Sequence, residues 1–172
     1  MRSWRTRTLT AAVITGVLAV FALATPASAA NRQRVVRSVE RNPATMSTGT
    51  PSNTVTSEAW LRNRTLDEVF TIEDKGTYDG KPQVKFLNGW GMCLDTRGAS
   101  GTASGWFTSC NAGDYQLWQV FTSGGVKVYK NKGSWTNQSR HLCLSTIAVN
   151  RAVIVETCNS NQERQQWTEV AP

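Results

Sequence analysis

The chain of 172 residues contains one histidine, His141, and four cysteines with no Cys-x-x-Cys among them. A single histidine, lying beside Cys143 where it reads as structural, gives little room for Ser-His or Cys-His nucleophilic chemistry. The cysteine spacing matches none of the common zinc frames. No metal or cofactor is expected. Long helical periodicity is missing beyond residue 30, and so is any later apolar run of membrane-spanning length. A helical bundle and a membrane span are both set aside. Paired carboxylates remain a conceivable glycosidase device, since their separation is not readable from sequence.

Charge of either sign is scarce over most of the chain. The formal net charge is +7, but three of the arginines fall in the first seven residues. Residues 31–64 hold six arginines against Glu40 and Glu58, and residues 65–172 hold ten residues of each sign. The basic region has no interleaved aromatic until Trp60, so the nucleic-acid pattern of cations with stacking rings is absent. A solvated basic surface is expected there, and no nucleic-acid partner.

Residues 1–30 read as a secretory leader. Arg2, Arg5 and Arg7 precede an apolar stretch over Ala11–Ala24, and Ala27-Ser28-Ala29 supplies a small-residue cleavage site before Ala30. Fourteen apolar residues reach roughly 21 Å as a helix, short of a bilayer core of about 30 Å. The expectation is a secreted, extracellular protein starting near Ala30 or Asn31. Cysteines outside the cytosol are expected to pair.

A repeat then organises the chain. Residues 91–118 read GMCLDTRGASGTASGWFTSCNAGDYQLW, and residues 141–167 read HLCLSTIAVNRAVIVETCNSNQERQQW. Each opens on Cys-Leu and closes on Gln-x-Trp. Cys93 to Cys143 is 50 positions, Cys110 to Cys158 is 48 and Gln116 to Gln165 is 49. A period of that size marks one supersecondary unit used more than once. Of the three connectivities open to four cysteines, the repeat selects Cys93–Cys110 and Cys143–Cys158. Each closes a loop of fewer than 20 residues, worth roughly 3 kcal/mol in the chain-entropy description.

Around the repeat, short β-forming runs alternate with turn residues. Asn31–Glu40 reads as an edge strand or a mobile arm, and Asn42–Ser57 as a Ser/Thr/Pro-rich loop or linker. Strands are expected at 84–87, 92–95, 106–110, 117–121, 126–129, 142–145, 152–158 and 166–170, with a long polar excursion over 130–140. The fold class is all-β, with no long helix after residue 30.

Cys93-Leu94-Asp95 with Cys110 and Gln116-Leu117-Trp118, and Cys143-Leu144-Ser145 with Cys158 and Gln165-Gln166-Trp167, resemble the ricin-type (R-type) β-trefoil lectin family. The clear resemblance covers about residues 84–170. It implies three lobes, here 84–122, 126–170 and a degenerate first lobe at about 33–80. Residues 31–57 are then a basic, Ser/Thr/Pro-rich arm or the start of that lobe, and the rival arrangement is an arm of about 45 residues preceding an incomplete, two-lobed trefoil. Counting back 49 positions from the central copy places Leu61 opposite Cys110, Ala44 opposite Cys93, Met46 opposite Asp95 and Val69 opposite Trp118.

The resemblance also implies a sugar site. In the family, the carboxylate after Cys-Leu accepts hydrogen bonds from adjacent sugar hydroxyls, and an aromatic face packs on the ring beside it. The carbohydrate-binding residues expected are Asp95, Trp106, Thr108, Asn111, Tyr115 and Gln116. Family members carry the aromatic two residues before the second cysteine, where this chain has Thr108; Trp106 shares its strand parity and therefore its face. The last lobe has Ser145 in place of the aspartate and no aromatic at 153–155, so it is expected to be blind. Trp135, in the 130–140 excursion, is a candidate extension of the binding surface. The expected partner is a glycan or polysaccharide and the protein is not expected to be an enzyme. The alternative is a trefoil that binds a protein partner, as a toxin-binding subunit or a protease inhibitor.

Overall fold

Two tight turns set the frame. Asp79-Gly80 and Gly124-Gly125 all have positive φ, between 50° and 84°, the backbone that a two-residue hairpin demands and that glycine adopts most readily. They join Phe70–Tyr78 to Lys81–Leu87 and Trp118–Ser123 to Val126–Asn131. The computed structural model describes residues 31–41, 44–51, 57–62 and 68–172, with side chains at all of these except 49–51 and 57. The leader expected over 1–30 lies outside the described residues.

Fourteen strands follow in order: β1 Arg32–Ser38, β2 Thr45–Pro51, β3 Ser57–Arg62, β4 Phe70–Tyr78, β5 Lys81–Leu87, β6 Met92–Asp95, β7 Ala103–Ser104, β8 Trp106–Ser109, β9 Trp118–Ser123, β10 Val126–Asn131, β11 Leu142–Ser145, β12 Arg151–Ala152, β13 Ile154–Thr157 and β14 Trp167–Val170. Among the described residues one α-helix, α1 Lys132–Gln138, interrupts them, with 3-10 turns at Asp114–Gln116 and Glu163–Gln165. Six strands pair in a closed antiparallel ring, β1–β4–β5–β9–β10–β14 and back to β1. Three hairpins, β2–β3, β6–β8 and β11–β13, attach to that ring. Ring closure satisfies strand edges that an open sheet would expose.

The core fills the ring and the inner faces of the hairpins. Leu94 pairs with Phe107, Leu144 with Val155 and Met46 with Leu61, and all six are buried. Trp118 and Trp167 are fully buried. Each indole Nε1 donates to the carbonyl of the leucine after the first cysteine, Leu94 at 3.2 Å and Leu144 at 3.1 Å. Phe86 packs edge-on against Tyr129 at 4.8 Å between centroids. Side chains of this size contribute about 1.5–3 kcal/mol each on burial.

Both expected disulfides are present, with Cα–Cα distances of 5.0 Å for Cys93–Cys110 and 4.9 Å for Cys143–Cys158. Three expectations are corrected. Asn31–Glu40 is neither an edge nor an arm: β1 pairs with β14 on one side and β4 on the other. Its Arg32 bonds Glu169 at 3.2 Å. The 42–57 linker contains β2, whose Thr45 and Met46 are buried despite their polar flanks. The 130–140 excursion contains α1, started by Asn131, whose side chain accepts from Ser134 N at 3.0 Å, a standard helix N-cap.

Candidate functional site

In the β6–β8 hairpin, alternation sends Leu94 and Phe107 into the core and puts Cys93, Asp95, Trp106 and Thr108 on the opposite face, where Cys93 and Asp95 are buried and Trp106 and Thr108 are half-buried. Asp95 and Trp106 are direct cross-strand partners, as are Cys93 and Thr108. The carboxylate and the indole therefore share one face. Asp95 Oδ1 accepts from the Arg97 amide, which holds the sharp bend where Arg97 and Gly98 both have positive φ. That bend swings the Arg97 guanidinium over Trp106, 5.1 Å from the ring centroid. A cation over an indole face is attractive, and here it covers the stacking surface.

The loop after Cys110 is held from below. Gln116 is fully buried; its Oε1 accepts from the Asn111 amide at 2.8 Å and its Nε2 donates to Ser109 O at 2.9 Å. It is a backbone brace and does not reach solvent, which corrects its place among the ligand-contacting residues. Gln165 repeats the arrangement with Asn159 N at 2.7 Å and Thr157 O at 2.9 Å. Asn111 is exposed, and its Oδ1 accepts from Gly113 N at 2.7 Å. Tyr115 is half-buried under α1: a Cβ on Gly133 would fall 2.5 Å from its ring. Its hydroxyl accepts from Gln138 Nε2 at 3.2 Å, and the same Nε2 donates to Gly98 O at 2.9 Å. Helix α1 thereby ties Tyr115 to the bend that follows Asp95. Asp114 adds an ion pair to Lys132 at 2.9 Å.

The hairpin β11–β13 offers a different outer face: Cys143, Ser145, Ile154 and Glu156. Sequence reasoning missed Glu156 by looking for a carboxylate after Cys-Leu. It stands at the Thr108 place, two residues before the cysteine. Its carboxylate accepts from Ser145 Oγ at 2.5 Å, Gln165 Nε2 at 3.1 Å and Arg164 Nε at 2.7 Å. Burial alone would raise its pKa, but the bonds from Ser145 and Gln165 and the Arg164 charge together hold it below the usual carboxylate range. It borders a cavity of about 610 Å³ with Thr102, Asn159 and Arg164.

On the corresponding face of β2–β3 the carboxylate is Glu58, two residues before Trp60 on β3, and it accepts from Trp60 Nε1 at 2.9 Å. The ladder places Ser47, not Met46, opposite Trp60, just as Asp95 lies opposite Trp106. The uniform count of 49 therefore slips by one at Ser47 and by three at Trp60, and Phe70 rather than Val69 is the buried residue that opens the closing strand, as Trp118 does. Arg62 covers Trp60 at 4.6 Å, as Arg97 covers Trp106. Trp135 is half-buried, edge-on to Tyr78 and tilted against His141, at 5.6 Å in both cases. The most exposed aromatic among the described residues, Trp90 at 65 %, sits in the β5–β6 turn and carries no sequence signal beyond Asn-Gly-Trp. Among the described residues no group of three His, Cys, Asp or Glu is placed to hold a metal ion.

A closed six-strand ring capped by three hairpins defines a β-trefoil. The profile of the ricin-type β-trefoil lectin domain matches residues 82–170, just over half of the chain, and the chain belongs to that family. No curated protein matches it by sequence. Among solved structures, the designed threefold-symmetric protein ThreeFoil superposes with a TM-score of 0.67 at 17 % identity, over 81 % of this chain and 99 % of that one. A Polyporus squamosus lectin, bound to the epitope Neu5Acα2-6Galβ1-4GlcNAc, gives 0.66 at 16 % identity over 81 % and 48 %. An exo-β-1,3-galactanase from Clostridium thermocellum gives 0.65 at 12 % identity over 81 % and 30 %. The chain thus spans about half of that lectin and under a third of that enzyme.

Proposed function

We propose that the protein is an exported carbohydrate-binding trefoil whose sugar site is the outer face of β6 and β8. The observation that carries this reading is the direct pairing of Asp95 with Trp106 on the face of the hairpin away from the core, a buried carboxylate beside a half-buried indole. One Asp95 oxygen holds the Arg97 amide; the other has no hydrogen-bond partner among the described residues and is the acceptor for sugar hydroxyls. Trp106 is the platform, Thr108 flanks it, and Asn111 and Tyr115 border it. Gln116 acts from behind by fixing the loop. A sugar stacking on Trp106 has to displace Arg97 or pack against it. Membership of the lectin family and the likeness to a glycan-bound lectin support the reading.

Binding rather than catalysis fits the side chains. The imidazole of His141 stacks on Trp135 and bonds no nucleophile among the described residues. Strands β1–β4 are read as the third lobe, without a bridge or a Gln-x-Trp. Their place in the ring and the buried Met46–Leu61 pair support this. Resistance of residues 33–80 to limited trypsin digestion is the expected result, and rapid trimming to about residue 58 would refute it. Export is tested by the amino terminus of protein from culture medium, expected at Ala30 or Asn31.

The sugar site is tested on a glycan array and by polysaccharide pull-down. Trp106→Ala and Asp95→Ala, each checked for folding by circular dichroism, are expected to lose at least tenfold in affinity. Binding that is unchanged in both variants places the sugar elsewhere. Absence of binding by the wild type favours a protein partner, the reading to which the Arg97 cover over Trp106 lends support.

A further inference from the structure

A groove of about 650 Å³ lies where hairpin β9–β10 meets the Cys143–Cys158 bridge. Neither Ser145 nor Glu156 lines it, although it meets their face at Cys143 and shares Cys158 and Ser160 with the cavity beside Glu156. Phe121, Val126, Val128 and the bridge supply apolar walls; Lys130, His141 and Asn161 supply polar ones. Apolar lining with a few convergent polar groups is the usual character of a small-molecule site.

The central lobe shows why the groove is open. Leu87 pairs with Cys93 as Lys130 pairs with Cys143, so Lys85 is the counterpart of Val128. Lys85 is buried and its Nζ donates to the Asn111 carbonyl. Asn159 is the counterpart of Asn111, since both backbone amides donate to the Gln of Gln-x-Trp. Val128 has no head group to send there. The plug of one lobe is missing from the other.

The charge in the groove is unbalanced. No carboxylate lines it, and Lys130 has no ion pair among the described residues. Its ammonium rests 4.1 Å from the Trp135 centroid. Asp79 is the acidic group that acts on it, and Lys130 in turn acts on His141. Lys81, over Phe121 at 5.6 Å, adds a second cation nearby. A desolvated lysine above an apolar floor favours an anion with an apolar body.

We infer that this groove is a second binding site, separate from the Asp95 face, for a small organic acid whose apolar ring lies along Val126, Val128 and Phe121 and whose carboxylate meets Lys130. The shared chemistry has two sources, an aryl carboxylate or an acidic sugar with an apolar ring face, and both serve as probes. Titration of isotope-labelled protein is followed by NMR with 1-naphthoate, with N-acetylneuraminate and with neutral 1-naphthalenemethanol. Shifts for at least one acid are expected at Val126, Val128, Lys130, Ser160 and Asn161. They identify the source by which acid binds more tightly. Lys130→Gln should weaken that acid by on the order of tenfold, the loss of one charge-assisted contact. It should leave the neutral alcohol unaffected. Val128→Lys, which restores the plug of the central lobe, should abolish the shifts while the rest of the spectrum is retained. The inference is overturned if neither acid shifts these residues, if shifts fall on the β6–β8 face, or if the alcohol binds as well as the acids. It is equally overturned if Lys130→Gln binds the acid like the wild type. Loss of glycan binding in Trp106→Ala with these shifts intact keeps the two sites distinguishable.

Discussion

Hairpins β6–β8 and β11–β13 share an interior and differ on their outer faces. Inside, each has a leucine opposite an apolar partner, an indole bonded to that leucine's carbonyl, a buried glutamine under the loop and one bridge. Outside, Asp95 faces Trp106 in one, while Ser145 in the other turns its hydroxyl to Glu156. The interior is constrained by packing, where one misplaced methylene is felt. Asp95 and Ser145 are also buried, but each is fixed by polar partners on its own face and not by core packing, so that is where copies of one unit diverge.

The sharpest test of the shared interior is Trp118→Ala against Trp167→Ala. Each removes a fully buried indole and should destabilise by about 3–5 kcal/mol, read from urea midpoints. Costs that differ by more than a factor of two would show that the two interiors are not equivalent. The glutamines should differ. Gln116→Ala strands the Ser109 carbonyl and the Asn111 amide, for about 1–3 kcal/mol. Gln165→Ala should cost more, because Gln165 also donates to Glu156. Equal losses would mean that Glu156 gains nothing from it.

The smallest effect concerns acid. The pKa of Glu156 is lower in the folded protein than its ordinary value. Its contribution is therefore present above the unfolded value, near 4.3, and is lost as pH falls through the folded one. Stability measured from pH 6 to pH 2 should fall less steeply in Ser145→Ala, which lacks one of the bonds lowering that pKa. An unchanged slope would remove Ser145 from the account. Glu169 titrates in the same direction, because bonds from Arg32, Lys127 and Tyr129 outweigh its burial, so the variant is compared with wild type at each pH.

Much of the fold was legible because the repeat writes its interior in residues that are rare elsewhere. Cysteine, tryptophan and Gln-x-Trp recur at a period near 49, and both bridges follow from it. The sharing of a face by Trp106 and Thr108 was legible because strand parity is a two-residue period; that Asp95 stands opposite Trp106 depends on the β6–β8 register, which parity within one strand does not give. β2 was not, because Thr45-Met46-Ser47 is composed like a linker and is a strand only through its pairing with β3, a tertiary effect. Glu156 escaped because its role depends on a cross-strand neighbour on β11. Gln116 was misplaced because a glutamine's polarity does not reveal whether its partners are solvent or backbone; only its burial did.

The meeting of β1 with β14 has a kinetic meaning. Val35 pairs with Val170, two residues separated by most of the chain. Bringing so distant a pair together carries the largest loop-closure entropy in the ring, and contacts of long sequence separation slow folding. The three hairpins are local and form without waiting. The seam between first and last strands is therefore the pairing expected to form last, and without β14 the ring is an open cup along β1 and β10.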